Sequence, residues 1–295
     1  MTGKPKIVCF GELLWDILPD EQLIGGAPLN VALRLHSLGS PAWMISAVGN
    51  DKLGKAAIEV LKRKGFPTAG IAKLETSPTG TVQVHLHKGS ASYTITEDVA
   101  WDRIPVDQQL LNELRPWDAL VFGSLALRGS YNQKAIMHLL EESPYVVFDL
   151  NLRPPHYSLE RIDYWMRRSD LIKMNEEEFA LMASHYQLAN KGLRQNMANM
   201  HELTGAHAIC VTLGEKGAIL YLESTFYQHP GYQTEVVDTI GAGDSFLASL
   251  LHELLRNTDP LTALGRACAM GALVAGKKGA NCSVSNEEIS RIVGV

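Results

Sequence analysis

The chain has 295 residues, of which 46% are hydrophobic and 20% are charged, and its formal net charge is −5 at pH 7. This composition is typical of a globular protein with a large core, and its acidic balance disfavours nucleic acid and anionic membranes as partners. Four scattered cysteines form no CxxC pair, so neither a zinc site nor a disulfide framework is indicated. No apolar run approaches the ~20 residues of a membrane span and no secretory signal is recognisable, so we expect a cytoplasmic protein.

Short apolar runs alternate with helical patterns along the chain. In chain order, the predicted elements are a strand at Lys6–Phe10, a helix at Pro28–Leu38, a strand at Ala42–Val48, a helix at Leu53–Lys64, and strands at Ala119–Phe122, Tyr145–Leu150, Leu171–Met174, Ala208–Thr212 and Ala218–Leu222. Helical patterns separate most of these later strands, and a capping box at Ser285 begins the last helix. Such alternation is typical of a mostly parallel sheet that helices cover on both faces.

One segment breaks this alternation. Residues Thr81–Lys88 alternate apolar and polar side chains, and Ser92–Thr96 continues the period of two after a turn at Gly89-Ser90. This pattern predicts an antiparallel hairpin with one apolar and one polar face. Two interpretations remain open: a simple surface excursion, or a lid that covers a pocket and pairs with a second subunit.

A glycine-rich motif precedes a long helical pattern near the end of the chain. Gly241, Ala242 and Gly243 are followed by Asp244 and then by apolar residues at helical spacing from Phe246. Glycines allow the backbone to approach a ligand closely, and the amides at a helix start favour an anion. A carboxylate beside that anion suits phosphoryl transfer, which needs a base for the attacking hydroxyl. Taken alone, the motif favours a simpler interpretation, a turn whose aspartate offsets the helix dipole.

Four motifs, in this order, resemble those of the ribokinase-like (PfkB) carbohydrate kinases. They are Gly25–Ala32 with Gly39 and Gly49, Asn175–Glu178, Thr212–Gly217 and Asp238–Phe246. The motifs span nearly the whole chain and are too many to agree by chance. The resemblance implies one domain over residues 1–295 with a three-layer α/β/α fold and a mostly parallel central sheet. It also implies a small β lid formed by about residues 12–24 and 80–98.

Within that family the chain is most similar to the fructokinases. The similarity lies in GELLWDILPD at residues 11–20, in Tyr93–Thr96, in Ala100–Asp102 and in Asp149–Pro154. It implies transfer of the ATP γ-phosphoryl group to a sugar hydroxyl, forming fructose 6-phosphate from fructose. Three other functions remain open: a 2-keto-3-deoxygluconate kinase, a ribokinase or nucleoside kinase, and a sugar-binding regulator built on a kinase fold.

The resemblance assigns roles to the residues that bind and activate the sugar. Asp244 matches the catalytic base, and Gly241, Ala242 and Gly243 match the backbone amides that hold the phosphoryl group in transfer. The matching sugar-contacting positions are Asp16, Gly26, Asn30, Asn151, Arg153 and Asp244. Arg153 has a second interpretation as a structural partner of Asp149, whereas its guanidinium also suits a phosphate or a substrate carboxylate.

The resemblance also assigns a nucleotide side to the site. The matching residues are Lys173, Asn175, Thr212, Gly214, Gly217, Gly241 and Gly243. Glu178 would act on Mg²⁺ through water, and Asp238 matches a site for a monovalent cation such as K⁺, which the sequence leaves open. The structural alternatives are compensation of a helix dipole by the acidic residues at 176–178 and a plain turn between strands at 212–218.

Two further motifs are interpreted as unrelated to the activity. Residues Gly49–Lys55 nearly spell a P-loop, but Ala56 stands where a P-loop has its magnesium-binding hydroxyl. Asn281-Cys-Ser283 is a formal glycosylation sequence, which has no role in a protein that is not secreted.

The family resemblance implies a small sugar and ATP as partners. The hairpin lid further suggests a second copy of the chain, with a homodimer formed through the lid.

Overall fold

The structure, a computed structural model, describes residues 4–87, 90–188 and 191–294. Their strands are β1 (Ile7–Phe10), β2 (Leu14–Ile17), β3 (Gln22–Gly25), β4 (Ala42–Gly49), β5 (Ile71–Leu74), β6 (Gly80–His87), β7 (Ser90–Ile95), β8 (Ala119–Gly123), β9 (Val146–Asp149), β10 (Leu171–Asn175), β11 (Ala208–Thr212), β12 (Ala218–Leu222) and β13 (Thr225–His229). Their α-helices are α1 (Ala27–Ser37), α2 (Lys52–Arg63), α3 (Gln108–Leu114), α4 (Ser130–Glu142), α5 (Leu159–Met166), α6 (Glu176–His185), α7 (Leu193–Thr204), α8 (Ala242–Leu254), α9 (Pro260–Ala275) and α10 (Asn286–Val293). Within these ranges, no helix has the length and apolar character needed to cross a membrane.

Nine strands form one large sheet in the order β13-β12-β11-β10-β9-β8-β1-β4-β5. The strands from β11 to β5 in this order run parallel, whereas β12 and β13 add to one edge in antiparallel fashion. Because successive side chains alternate between the faces, Val8 and Phe10 pack in one core and Ile7 and Cys9 in the other. Helices α3 to α7 cover the first core, and α1, α2, α8 and α9 cover the second. The predicted three-layer α/β/α architecture is confirmed.

The predicted elements appear close to their expected bounds. The helix expected at Pro28–Leu38 is α1, which begins one residue earlier and has proline in its first turn. Backbone N–H groups in the first turn have no acceptor within the helix, so the N–H that proline lacks is not missed there. The strand expected at Tyr145–Leu150 is the shorter β9. The last helix, α10, begins with the predicted capping box, in which Ser285 and Glu288 bond to each other's backbone N–H groups.

A small second sheet contains the segments predicted to form a lid. Its order is β3-β2-β6-β7, with β2 parallel to β6 and with β6 and β7 forming the predicted antiparallel hairpin. Of the predicted turn at Gly89-Ser90, residue 89 lies outside the described residues. Strand β3 runs directly into α1 through Gly25 and Gly26, so the small sheet joins the large one near the carboxyl ends of the parallel strands. Ligands bind beyond these strand ends in open parallel sheets.

Candidate active site

The start of helix α8 brings the glycine-rich motif to the carboxyl edge of the large sheet. Gly241 is the N-cap residue with φ of +76°, and a Cβ added there would lie 2.3 Å from the Cβ of Ala280, so this position requires glycine. Among the described residues, no side chain caps the first turn, which contains Ala242, Gly243 and Asp244. The amides of this turn and the helix dipole therefore favour an anion at this point.

Asp244 is a buried carboxylate with one defined partner. Asn30 Nδ2, on α1, donates a hydrogen bond of 2.8 Å to Asp244 Oδ2. Burial raises the pKa of Asp244 to about 6 and the charge of Asp149 adds to that rise, while the hydrogen bond from Asn30 and the charges of Lys173 and Arg153 oppose it. Asp244 is thus mainly ionised at neutral pH, with a pKa that suits transfer of a proton from a hydroxyl.

A buried ion pair lies beneath the glycine-rich turn. Lys173 Nζ, on β10, donates to Asp149 Oδ1 at the end of β9 over 3.0 Å, and both side chains are almost fully buried. A Cβ built on Gly243 would lie 3.3 Å from Lys173 Nζ, so the ammonium group adjoins the turn. Burial alone lowers the pKa of Lys173, but the carboxylates of Asp149, Glu178 and Asp244 outweigh that effect and raise it. Lys173 is therefore a fixed positive charge beside the anion-binding turn.

This ion pair corrects one interpretation of the sequence. The sequence leaves open a pairing of Asp149 with Arg153, but Asp149 bonds to Lys173. Arg153 is exposed, and its NH1 donates to the neighbouring carbonyl of Leu152 over 3.1 Å. The side-chain pairing follows from the sheet, because the register of β9 and β10 sets Lys173 directly opposite Asp149. The side chain of Arg153 is left exposed to solvent.

The predicted sugar-contacting residues come from β2, the start of α1, the segment after β9 and the start of α8. Asp16 lies on β2 in the small sheet, and burial raises its pKa to about 6 while Arg153 opposes that rise and Asp244 adds to it. The mutual electrostatic influence places these three groups around one region. Asn151 has φ of +39°, a conformation that asparagine tolerates, and turns the chain after β9 toward Arg153. The small sheet, the end of β9 and α8 therefore meet there.

Gly26 has a structural requirement of its own. It is the N-cap of α1 with φ of +114°, and a Cβ there would lie 2.2 Å from the backbone oxygen of Glu12. Only glycine permits this approach, which sets the start of α1 and hence the position of Asn30.

Glu12 lies near the predicted site residues, although the sequence motifs assign it no role. It is 3% exposed, its Oε2 is buried without a hydrogen-bond partner, and its pKa is influenced by the charges of Arg153 and Asp244. Burial raises its pKa to about 7. The available signal was a glutamate directly after a buried strand of a parallel sheet, where ligand-facing groups collect.

The other residues predicted for the nucleotide side lie on β10 and β11 and at the helix start and turn that follow these strands. Asn175 and Glu178 make a reciprocal capping box at the start of α6, and Glu178 Oε1 also accepts from Leu152 N over 2.8 Å. Thr212 lies opposite Asn175 in the register of β10 and β11. Gly214 and Gly217 lie in the turn between β11 and β12. That turn follows the carboxyl end of β11, next to the carboxyl end of β10.

The residue predicted to lie at a monovalent-cation site connects two loops. Asp238 Oδ1 accepts from Ile240 N and Oδ2 accepts from Gly279 N, each over 2.9 Å. Both oxygens are thus used to hold the loop before α8 against the loop after α9.

The charges around Lys173 bear on the expected magnesium ion. The described residues contain no group of three or more His, Cys, Asp or Glu side chains arranged to hold a metal. The charges of three buried carboxylates nevertheless act on the ammonium group of Lys173, namely Asp149, to which it bonds, Glu178 and Asp244. Asp149 Oδ2 is buried without a partner, and burial together with the charge of Asp149 raises the pKa of Glu178. This surplus of negative charge fits a cation held through water and nucleotide phosphates.

Comparisons with known proteins agree with this geometry. A family model described as pfkB family carbohydrate kinase matches residues 5–287. An uncharacterized sugar kinase of Pyrococcus horikoshii is 31% identical over 96% of this chain and 94% of its own. Its crystal structure in complex with ATP has a TM-score of 0.82 at 29% identity and covers 97% of this chain and 99% of that one. The superposition confirms the ribokinase-like fold.

Fructokinases are also among the similar proteins. A fructokinase of Salmonella typhimurium is 27% identical over 93% of this chain and 94% of its own. The crystal structure of a Vibrio cholerae fructokinase in its fructose, ADP and calcium ion bound form has a TM-score of 0.82. It is 23% identical and covers 98% of this chain and 99% of that one, which shows a common fold.

Proposed function

The chain belongs to the pfkB family of carbohydrate kinases, and from that premise we propose that it phosphorylates fructose with ATP to give fructose 6-phosphate. The observation that carries the proposal is Asp244, a buried carboxylate with a pKa of about 6 in the first turn of a helix whose start favours an anion. A base and an anion site within one turn suit direct transfer between a hydroxyl and a phosphate. The fructokinases among the relatives support fructose as the acceptor.

In the proposed reaction, Asp244 takes the proton of the attacking sugar hydroxyl. The hydroxyl oxygen forms a bond to the γ-phosphorus while the bond from that phosphorus to the β-phosphate oxygen breaks, and ADP leaves with those electrons. The amides of Gly241–Gly243 hold the equatorial oxygens, and the ammonium of Lys173 supplies fixed positive charge beside them. Asn30 orients the carboxylate of Asp244.

The carboxylates whose charges act on Lys173 also suggest where Mg²⁺ would bind. Mg²⁺ would neutralise charge on the nucleotide phosphates, and Glu178, beside Asp149, would hold it through water. Asp238 holds the loop before α8 against the loop after α9, and backbone carbonyl oxygens of these two loops, with Asp238 beside them, would ligate a monovalent cation such as K⁺. Removal of Mg²⁺ by a chelator should abolish turnover, whereas exchange of K⁺ for a larger organic cation tests the second site.

A second substrate has a specific observation in its favour. Arg153 is exposed, lies within electrostatic reach of Asp16 and Asp244, and does not pair with Asp149. Its guanidinium is therefore available to bind a carboxylate with two parallel hydrogen bonds. This favours 2-keto-3-deoxygluconate as the alternative acceptor, because that sugar acid carries a carboxylate whereas fructose does not.

The test is coupled ADP release over a panel of fructose, ribose, 2-keto-3-deoxygluconate and nucleosides with Mg²⁺. We expect turnover with fructose that falls ~10²-fold or more in Asp244→Asn. In the native enzyme, kcat should fall as the pH drops through about 6, because protonated Asp244 cannot accept a proton. Preference for the keto acid that Arg153→Met removes would select the alternative substrate. Sugar binding without turnover would indicate a regulator, and turnover that survives Asp244→Asn would refute the assigned base.

A further inference from the structure

Asn281 lies at the centre of a hydrogen-bond chain that ends on the catalytic carboxylate. Asn281 Nδ2 donates to Asn30 Oδ1 over 3.0 Å and to the backbone oxygen of Ile24 over 3.3 Å. Asn30 Nδ2 in turn donates to Asp244 Oδ2 over 2.8 Å. The chain therefore connects strand β3 of the small sheet, helix α1, helix α8 and the loop that follows α9.

The direction of this chain is determined by its two ends. The carbonyl of Ile24 and the carboxylate of Asp244 can only accept hydrogen bonds. Asn281 must therefore present its NH₂ group to Ile24, and its second N–H then points to Asn30. That donor selects the oxygen of the Asn30 amide and leaves the Asn30 NH₂ group for Asp244. Without Asn281, a half-turn of the Asn30 amide would direct an oxygen at a carboxylate, which is repulsive.

The backbone on both sides of Asn281 is held in place by one buried arginine. Arg34 NH2 donates to the carbonyl of Ala280 over 3.3 Å and to that of Cys282 over 2.9 Å. Arg34 Nε donates to Ser245 Oγ over 3.1 Å, directly beside Asp244. Asn30 and Arg34 lie one turn apart on α1 and so face α8 together. Asn281 thus has a fixed backbone and two fixed acceptors, as a positioning group requires.

We propose that Asn281 is a positioning residue for phosphoryl transfer, which orients the Asn30 amide so that it donates to the base Asp244. The inference rests on the proposed function, since it assumes that Asp244 is the base. It assigns a role to an asparagine whose sequence context suggested only a glycosylation site.

A consequence concerns the ionisation of the base. The charged groups that influence the pKa of Asp244 or are influenced by its charge are Asp149 on β9, Lys173 on β10, Arg153 after β9, Glu12 after β1 and Asp16 on β2. The hydrogen bond from Asn30 lowers this pKa against the effect of burial. Loss of that bond should raise the pKa and move the acid limb of kcat to higher pH.

A double-mutant cycle with Asn281→Ala and Asn30→Ala tests the proposal in the intact enzyme. We expect Asn281→Ala to lower kcat about tenfold with little change in KM for ATP, and to move the acid limb upward. In the Asn30→Ala background, the same substitution should lower kcat by less than about twofold. Equal losses in both backgrounds, or an unmoved acid limb, would overturn the proposal, because a merely structural residue gives that result.

Asn281→Asp keeps the size of the side chain and reverses its role from donor to acceptor. We expect it to lower kcat at least as much as Asn281→Ala with a similar thermal unfolding midpoint, while Asn286→Asp, exposed on α10, controls for the added charge. Wild-type kcat in Asn281→Asp would contradict the proposal even if the alanine variant does not fold. If the wild-type enzyme shows no sugar-dependent turnover, or retains it in Asp244→Asn, the proposed function fails. If turnover is normal and the effects of Asn281→Ala and Asn30→Ala on kcat are additive, only the proposed role of Asn281 fails.

Discussion

At the scale of single residues, the site is defined by carboxylates that burial keeps close to their protonated forms. Burial raises the pKa of Glu12 to about 7 and those of Asp16 and Asp244 to about 6. Such groups can exchange protons near neutral pH, as acid–base catalysis requires. Their ionisation at higher pH lowers the stability of the folded state. Positive charges oppose the rise in pKa: Arg153 lowers the pKa of all three carboxyl groups, and Lys173 lowers that of Asp244.

Glu12→Gln should become more stable relative to the wild type as the pH increases. A folded pKa of about 7, above the ordinary value of ~4.3, means that the native state holds the proton more tightly than the unfolded chain. The native state therefore loses this contribution as pH rises through 7, and the glutamine variant does not. Between pH 5 and pH 8, the difference in unfolding free energy should move by about 2–3 kcal/mol in favour of the variant.

Urea denaturation at the two pH values measures this difference. Glu59→Gln, exposed on α2, serves as the control for loss of one carboxylate. A constant offset between Glu12→Gln and the wild type at both pH values would contradict the prediction, because a constant offset reports packing and not ionisation.

At the scale of elements, three helix starts bring the candidate site residues to the carboxyl edge of the sheet. Helix α8 presents its uncapped amides and Asp244, α1 presents Asn30, and α6 begins with the capping box of Asn175 and Glu178. Glu178 accepts from Leu152 N and from Asn175 N, so it also holds the chain that leads from β9 to Arg153. A single carboxylate thus stabilises α6 and the adjacent loop.

Glu178→Ala should destabilise the protein by about 1–3 kcal/mol, because two backbone donors lose their acceptor. It should also lower kcat and raise the Mg²⁺ concentration needed for half-maximal rate. Asp107→Ala is the control, since it removes the side-chain cap of α3, a helix that carries none of the predicted site residues. That control should cost about 1 kcal/mol of stability and leave kcat unchanged.

Urea unfolding and Mg²⁺ titration of kcat distinguish the two roles of Glu178. A Glu178→Ala enzyme that is less stable but has wild-type magnesium dependence would retain the structural role and eliminate the metal role. Unchanged stability would contradict the structural one.

At the scale of the whole molecule, the small sheet is an appendage with two free edges. In its order β3-β2-β6-β7, strands β3 and β7 each have one neighbour among the described strands. Exposed strand edges favour pairing with another chain unless they are covered. We propose that the small sheet and the three-layer body act as one domain, because β3 leads directly into α1, and that two copies pair through this lid.

Thr94→Lys on β7 should convert a dimer to a monomer. Thr94 is exposed on the lid, and two copies of a lysine there would bring like charges together. Thr225→Lys is the matched control, an exposed threonine on β13 at the edge of the large sheet. Light scattering should give twice the chain mass for the wild type and the control, and the chain mass for Thr94→Lys. A monomeric wild type would refute the dimer.

Much of the architecture was predictable from local patterns. The apolar runs and helix stops predicted the strands and helices of the large sheet to within a few residues, and the period of two predicted the β6–β7 hairpin. The glycine-rich motif and Asp244 were identified for the same reason, because a turn, a helix start and a carboxylate are encoded by adjacent residues.

The contacts that set the chemistry were not predictable in this way. Lys173 pairs with Asp149, which excludes the pairing of Arg153 with Asp149 that the sequence left open. Glu12, buried beside Gly26, lies within the GELLWDILPD similarity, which assigned it no role, and Asn281 was identified only as part of a glycosylation sequence. These side chains interact across 24 to 251 residues of chain, so no local spacing predicts which of them meet.

The sequence by itself determined the layers, the helix starts and the glycine-rich turn that precedes Asp244, because each depends on side chains a few positions apart. Only the tertiary structure decided which buried group partners which. The pKa of Asp244 depends on how deeply α8 is buried and on the donor that α1 turns toward it. The orientation of that donor depends on a loop more than two hundred residues away in sequence. Burial and hydrogen-bond direction are properties of packed elements, and they exist only once the sheet, helices and loops have come together.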